Sequence, residues 1–377
     1  MDSRESATRG QSEQMNKLQR QTVDHLEALV GFDTRNPPRS IDEGGLFAYL
    51  RDNLSGFDFH SEDHGDGCIS LLASRGSPDT VFNFHVDTVP AADGWRDDPL
   101  ALRVTPDRAY GLGACDIKGA AACMLSAAAQ RGGPLALLFT SDEEAGNSRC
   151  IRRFLGTSHG FKNAIVAEPT GAKAVLAHRG IATATIGFGG IAGHASAARA
   201  LEDNAIHRAI RWGTRALEFA QQRQHREYEG LKGIPLNIGT IAGGVKPNVI
   251  AAEAVVRFGI RPLPDQDGRR LLEQLRQLAP DAHVAGWQEG FVGPALPGPG
   301  VDRERAAHRL AEHYALPTTD AVNFWTEASL FSAAGLAALV FGPGDIEQAH
   351  CANEWVALEQ LDAVTQHYIR LIDHDNR

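Results

Sequence analysis

Four apolar runs in this sequence end in side chains that bind cations and move protons. Val81 to Phe84 is followed by His85-Val86-Asp87-Thr88, and Leu135 to Phe139 by Thr140-Ser141-Asp142-Glu143-Glu144. Ala164 to Ala167 leads into Glu168-Pro169-Thr170, and Ala337 to Phe341 into Gly342-Pro343-Gly344 and then His350. A fifth segment, Gly111-Leu112-Gly113-Ala114-Cys115-Asp116, offers one more carboxylate at the start of an Ala-rich stretch. Two imidazoles with three or four carboxylates and no thiolate suit zinc, cobalt or manganese better than calcium or copper. Zinc is the default. A carboxylate can bridge two such cations, and the pair polarises a carbonyl and acidifies a shared water. A neighbouring free carboxylate then serves as general base. The adjacent Glu143 and Glu144 leave the backbone in different directions, so one can bind metal while the other reaches the water.

Taken singly, a His-x-Asp pair is more often surface decoration, and Asp-Glu-Glu more often a solvated turn or a helix start favoured by the dipole. Their joint placement behind buried runs is what carries the metal reading. A dinucleotide loop at Gly111-x-Gly113 is disfavoured, since Asp116 stands where the third glycine should be and would repel a pyrophosphate.

These residues need a scaffold. The apolar runs read as buried strands of a parallel sheet, and ligands of such sheets sit at the carboxyl ends of the strands. Asn16 to Phe32 carries apolar residues at helical spacing, and Lys118 to Arg131 is Ala-rich and follows a Gly-rich turn. The alternation predicts an α/β architecture: a mixed, mostly parallel sheet sandwiched by helices. From Arg179 to Trp287 the order changes to strand (Ile181 to Phe188), helix (Asn204 to Gln222), two strands (Leu236 to Ala242, Val249 to Ile260) and helix (Asp267 to Leu278). That order predicts a smaller α+β domain inserted at 179–287 between the two parts of a catalytic domain, 1–178 and 288–377.

Composition narrows the function classes. The 377 residues are 43% hydrophobic and 22% charged, with a formal net charge of -10. No basic stripe marks a nucleic-acid partner. No segment approaches the ~18 consecutive apolar residues of a membrane span, and Met1 to Thr22 lacks a signal-peptide core. Cytoplasmic residence is the expectation. The five cysteines are odd in number and widely spaced, so neither a disulfide framework nor a thiolate zinc site is expected.

At His85-Val86-Asp87-Thr88-Val89-Pro90, Gly111 to Gly119, Asp142-Glu143-Glu144 and Glu168-Pro169-Thr170 the sequence resembles the M20 family of metallopeptidases and amidohydrolases, over nearly the whole chain after Leu18. The polar extension before Leu18 departs from the family. The resemblance implies a zinc-exopeptidase-like fold with an inserted lid and dimerisation domain, and two zinc ions per chain, with cobalt as the other candidate. One ion would be held by His85, Asp116 and Glu168, the other by Asp116, Glu144 and His350. Glu143 would be the general base, and Asp87 would orient His85. Gly193-His194-Ala195-Ser196 resembles the family's lid motif, whose histidine stabilises the tetrahedral oxyanion in the partner subunit's active site. It also implies a homodimer. Lys246 to Ile250, with Asn248, and Arg261 to Pro264 resemble substrate-binding elements, an arginine being suited to an α-carboxylate.

Phe324-Trp325-Thr326-Glu327-Ala328 and Gly342-Pro343-Gly344 resemble the acetylornithine deacetylase group of arginine biosynthesis. Phe32 to Pro38 and His178-Arg179-Gly180 resemble its branch acting on N-acetyl-L-citrulline. Hydrolysis of a small N-acetyl amino acid, acetylcitrulline or else acetylornithine, is therefore the expected reaction. A dipeptidase or carboxypeptidase would use the same water attack with a different pocket. A metal-binding protein that has lost catalysis is disfavoured, because both Glu143 and His194 are present.

Overall fold

The computed structural model describes residues 15–38, 41–146, 148–300 and 302–376. Most of the polar extension ahead of Leu18, residues 1–14, lies outside them. The described residues fall into two compact units, parted at Leu176/Ala177, Gly300/Val301, Thr319/Asp320 and Trp325/Thr326. Among them no helix is long and apolar enough to cross a membrane.

The first unit is built on a six-stranded sheet. Its order is Asp58–Asp63, Ile69–Arg75, Leu135–Thr140, Thr80–His85, Asn163–Val166 and Ala337–Val340. The last four run parallel, and the first two are antiparallel additions at one edge. Leu135–Thr140 and Thr80–His85 are buried along their whole length. Such strands read as continuous apolar runs rather than alternating ones. Asn16 caps the helix Lys17–Gly31 by accepting from the Gln19 N–H at 2.9 Å. This helix and the C-terminal helix Leu358–Asp375 pack against Lys118–Gln130, which is buried from Lys118 to Ala128. A helix apolar on every side belongs inside a core.

The second unit carries a four-stranded antiparallel sheet in the order Leu236–Gly243, Glu253–Ile260, Ile181–Gly189, Val284–Gly293. Strict alternation of buried and solvated residues along Ile181–Gly189 gives the sheet one core face. Helices Ala205–Gln221 and Gly268–Arg276 pack on the sheet, with the buried Trp212 donating its indole N–H to the Leu275 carbonyl at 2.8 Å. Asn204 and Asp267 cap the two helices, each accepting from two backbone N–H groups.

Two sequence expectations are corrected here. Val249 to Ile260 is not one strand. The Ala251 carbonyl accepts from Ala205 at the start of a helix and the Ala252 carbonyl from Gly190, so Val249–Ile250 pairs separately with Gly193–His194. The inserted unit also runs past residue 287 to Gly300, because Val284–Gly293 pairs with Ile181–Gly189 through Trp287 and Val292. The main sheet is mixed and mostly parallel, as expected, with its antiparallel pairings at one edge.

Candidate metal centre

Parallel pairing brings the polar strand ends together. His85 closes its strand in register with Thr140, so the turn Ser141 to Glu144 emerges beside it. On the other side Asn83 pairs with Val166, which places Glu168 just beyond the neighbouring strand's end. Asp116 lies two residues before the helix Lys118–Gln130, and His350 follows the 3-10 turn Ile346–Gln348 with φ of 59°.

The result is two trios sharing one carboxylate. His85 Nε2 lies 3.1 Å from Asp116 Oδ1 and 4.0 Å from Glu168 Oε1. His350 Nε2 lies 2.9 Å from Glu144 Oε1 and 3.4 Å from Asp116 Oδ2. In each trio the ligand atoms all fall within 4.8 Å of one another. Each oxygen of Asp116 therefore faces one imidazole.

The electrostatics are those of a site with too many carboxylates for its cations. Burial pushes the Glu143 and Glu168 carboxyls well above the ordinary range, and it raises Glu144 as well. Hydrogen bonds to Asp116 and Glu144 push His350 up to about 11. For His85, burial opposes the charged form, yet Asp116 and Asp87 hold it well above its usual value. Asp116 shows the converse: burial would raise it, but the two imidazoles hold it far below. Desolvated carboxylates in such number need cationic partners. Imidazole nitrogens and carboxylate oxygens without sulfur, Nε2 facing oxygen on both sides of Asp116, fit zinc.

Glu143 belongs to neither trio, but its carboxyl feels the charges of His85, Glu144 and Glu168. Asp87 faces two ways. His85 Nδ1 lies 3.2 Å from the backbone carbonyl of Asp87 and 3.7 Å from its carboxylate. While Oδ1 faces the ring, Oδ2 accepts from the Glu144 N–H at 3.0 Å and the Asn36 amide at 3.1 Å. Asp87 thus ties the turn of Glu143 and Glu144 to the strand of His85.

His194, Asn248 and Arg261 belong to the second unit. His194 is exposed, with Nδ1 2.7 Å from Ser196 Oγ, and it pairs with Val249 across a short antiparallel ladder. Asn248 accepts from the Ala195 N–H at 3.1 Å, so these two expected residues are neighbours. Arg261 lines a cavity of about 460 Å³ with Arg257, Asn237 and Thr183 on the sheet.

Several residues around the centre escaped sequence reasoning. Glu354 is buried beneath the Asp116 loop. Glu327, also buried, is pushed up to about 8 by desolvation and by the nearby charge of Asp142. Lys118 is fully buried, its Nζ donating to the Phe32 carbonyl at 3.0 Å.

Comparison with known proteins fits this geometry. Residues 81–374 match the model of peptidase family M20/M25/M40. The chain is 49% identical over 364 residues to the N-acetyl-L-citrulline deacetylase of Xanthomonas campestris, covering 95% of this chain and 99% of that protein. It is 32% identical to the acetylornithine deacetylase of Pasteurella multocida, over 87% of this chain and 90% of that one. Among solved structures, the aminopeptidase PepT of Bacillus cereus shares the fold at a TM-score of 0.72 and 17% identity, covering 95% of this chain and 99% of that one. The chain belongs to peptidase family M20/M25/M40 and is a metal-dependent amidohydrolase.

Proposed function

We propose that this chain hydrolyses the N-acetyl amide of N-acetyl-L-citrulline, releasing citrulline and acetate, as a step of arginine biosynthesis. The 49% identity over 95% of the chain to a protein of that activity carries the reading. Two zinc ions would be held by His85, Asp116 and Glu168 and by Asp116, Glu144 and His350, and when bound they supply Lewis-acid polarisation of the amide carbonyl and of the attacking water. Glu143 takes the proton from that water and passes it to the leaving amine. Asp87 and Asn36 hold the turn that presents it. Arg261 and Asn248 bind the substrate's α-carboxylate end, and His194 stabilises the oxyanion. None of the five cysteines is in a disulfide, which accords with a reducing, cytoplasmic setting.

Acetylornithine deacetylases also match, so the test sets the two substrates side by side. A pocket for the neutral ureido group leaves an ornithine ammonium unpaired, which costs several kcal/mol when buried. The expected kcat/KM ratio favours acetylcitrulline by at least about 100-fold, the equivalent of roughly 2.7 kcal/mol. Equal rates, or faster release of acetate from acetylornithine, assign the chain to the other substrate.

A homodimer formed by the inserted unit is part of the same proposal. Of the eight large hydrophobic side chains exposed among the described residues, all but Phe59 lie in the second unit: Ile191, Leu201, Ile210, Leu217, Ile241, Val245 and Val255. Exposed apolar side chains concentrated in one unit support its use as an interaction surface. Sedimentation at micromolar concentration is expected to show a dimer. A monomer with full activity and an inactive His194→Ala variant means that His194 works in its own chain.

A further inference from the structure

The loop that carries Asp116 closes around a single buried carboxylate. Glu354 is 2% exposed, and its side chain accepts from the N–H groups of Gly113 at 2.9 Å, Cys115 at 2.8 Å and Asp116 at 2.9 Å. Its own carbonyl accepts from Gly111 at 3.1 Å. Converging backbone N–H groups form a concavity suited to an anion, and here the anion comes from a distant part of the same chain. The loop is shaped for it. Gly113 has φ of 79°, and a Cβ there would stand 2.6 Å from Thr88 Cγ2. Only glycine combines that conformation with that closeness.

Three residues separate Glu354 from His350. The intervening segment is pinned on its other side by Asn353, which accepts from the Arg96 N–H at 3.0 Å and donates to the Gly94 carbonyl at 3.3 Å. Glu354 therefore joins the segment bearing His350 to the segment bearing Asp116, and one of its bonds is to the Asp116 N–H itself. The His350 side chain is about half exposed, so its placement depends on how its short segment is anchored.

We infer that Glu354 is a positioning residue that sets the separation of Asp116 and His350, and so governs cation affinity at the Asp116, Glu144, His350 trio more than at the His85 side. The inference rests on the two-ion reading proposed above. It asks nothing of Glu354 in the reaction itself. Residues that orient ligands from behind typically cost about 10- to 100-fold in metal affinity when lost.

The test is stepwise zinc titration of the full-length, chelator-stripped protein against a chromophoric competitor. In Glu354→Gln the amide replaces an acceptor with an NH2 group that meets backbone donors. The weaker of the two zinc-binding events is expected to lose about 10- to 100-fold, while the tighter changes less than about threefold. Glu354→Asp, which keeps the charge but is one methylene short, is expected to fall between this variant and wild type. Thermal midpoints are read with chelator and with zinc. A merely structural role lowers both midpoints together and leaves both affinities alone, whereas positioning narrows the gap between them. Wild-type affinity for both ions in folded Glu354→Gln and Glu354→Asp overturns the inference. His350→Ala serves as the control: if it loses the weaker event while the Glu354 variants keep it, only the inference fails. If His350→Ala itself binds both ions normally, the two-ion reading fails and the inference with it.

Discussion

Glu143→Gln is expected to lower kcat by about 10²- to 10⁴-fold or more while leaving metal content close to that of the parent protein. Glutamine keeps the size and hydrogen-bonding reach of the side chain and removes only its basicity. Glu143 stands outside both trios of ligand atoms, so its loss leaves the candidate ligands in place. Burial and the charges of Glu144 and Glu168 raise its proton affinity, with His85 acting the other way. A group so placed is ready to take up a proton and to release it again. A base works only when unprotonated, so the parent's kcat/KM rises with pH through the base's pKa, and the variant's acid limb flattens. Glu144→Gln behaves differently: its carboxylate lies 2.9 Å from His350 Nε2, and its loss appears first as weaker affinity for one ion, partly restored by added zinc. Near-parental kcat in Glu143→Gln, or loss of zinc there with retention in Glu144→Gln, reverses the two assignments.

Asp116→Asn is expected to have a still broader effect. Its two oxygens face the two imidazoles at 3.1 and 3.4 Å, and it is the only residue common to both trios. Removing its charge weakens both positions at once. Zinc bound per chain, measured by plasma emission, should fall from the proposed two ions towards zero, and each affinity should drop by more than the roughly 100-fold that losing an outer partner can cost. In the chelated protein His350 should titrate lower than in the parent, because the Asp116 hydrogen bond is the largest cause of its raised value. Retention of one tight ion with the other unchanged would show that Asp116 bridges nothing.

What the sequence made legible follows from where burial is complete. Four strands sandwiched between helices appear as apolar runs, interrupted only at Asn83, and the charged residues after each run fall at or just beyond the sheet's carboxyl edge. His85, Glu143, Glu144 and Glu168 could be picked out on that ground alone. Asp58–Asp63 could not, being a mostly solvated edge strand of polar residues with no period to detect. Val284–Gly293 was hidden by two register shifts, which break its alternation. Glu354 was hidden for another reason: its three partners are backbone N–H groups 238 to 241 residues away, and backbone donors leave no mark in a sequence. The second part of Asp87, holding the Asn36 amide and the Glu144 N–H, was hidden because both donors lie more than fifty residues away in sequence, 51 and 57 positions.

The Ala-rich helix Lys118–Gln130 has a bearing on how this protein can vary. Ala120, Ala121, Ala122 and Ala127 are fully enclosed, and a Cβ on Gly119 would stand 2.5 Å from the Ala114 carbonyl oxygen. Forcing extra methylenes into such close packing typically costs about 1–3 kcal/mol. A systematic survey of tolerated substitutions would therefore find a forbidden stretch from 119 to 128 as unforgiving as the metal centre. Its side chains are mostly methyl-sized and carry no chemistry. Intolerance there would record crowding, set by volume rather than by catalysis.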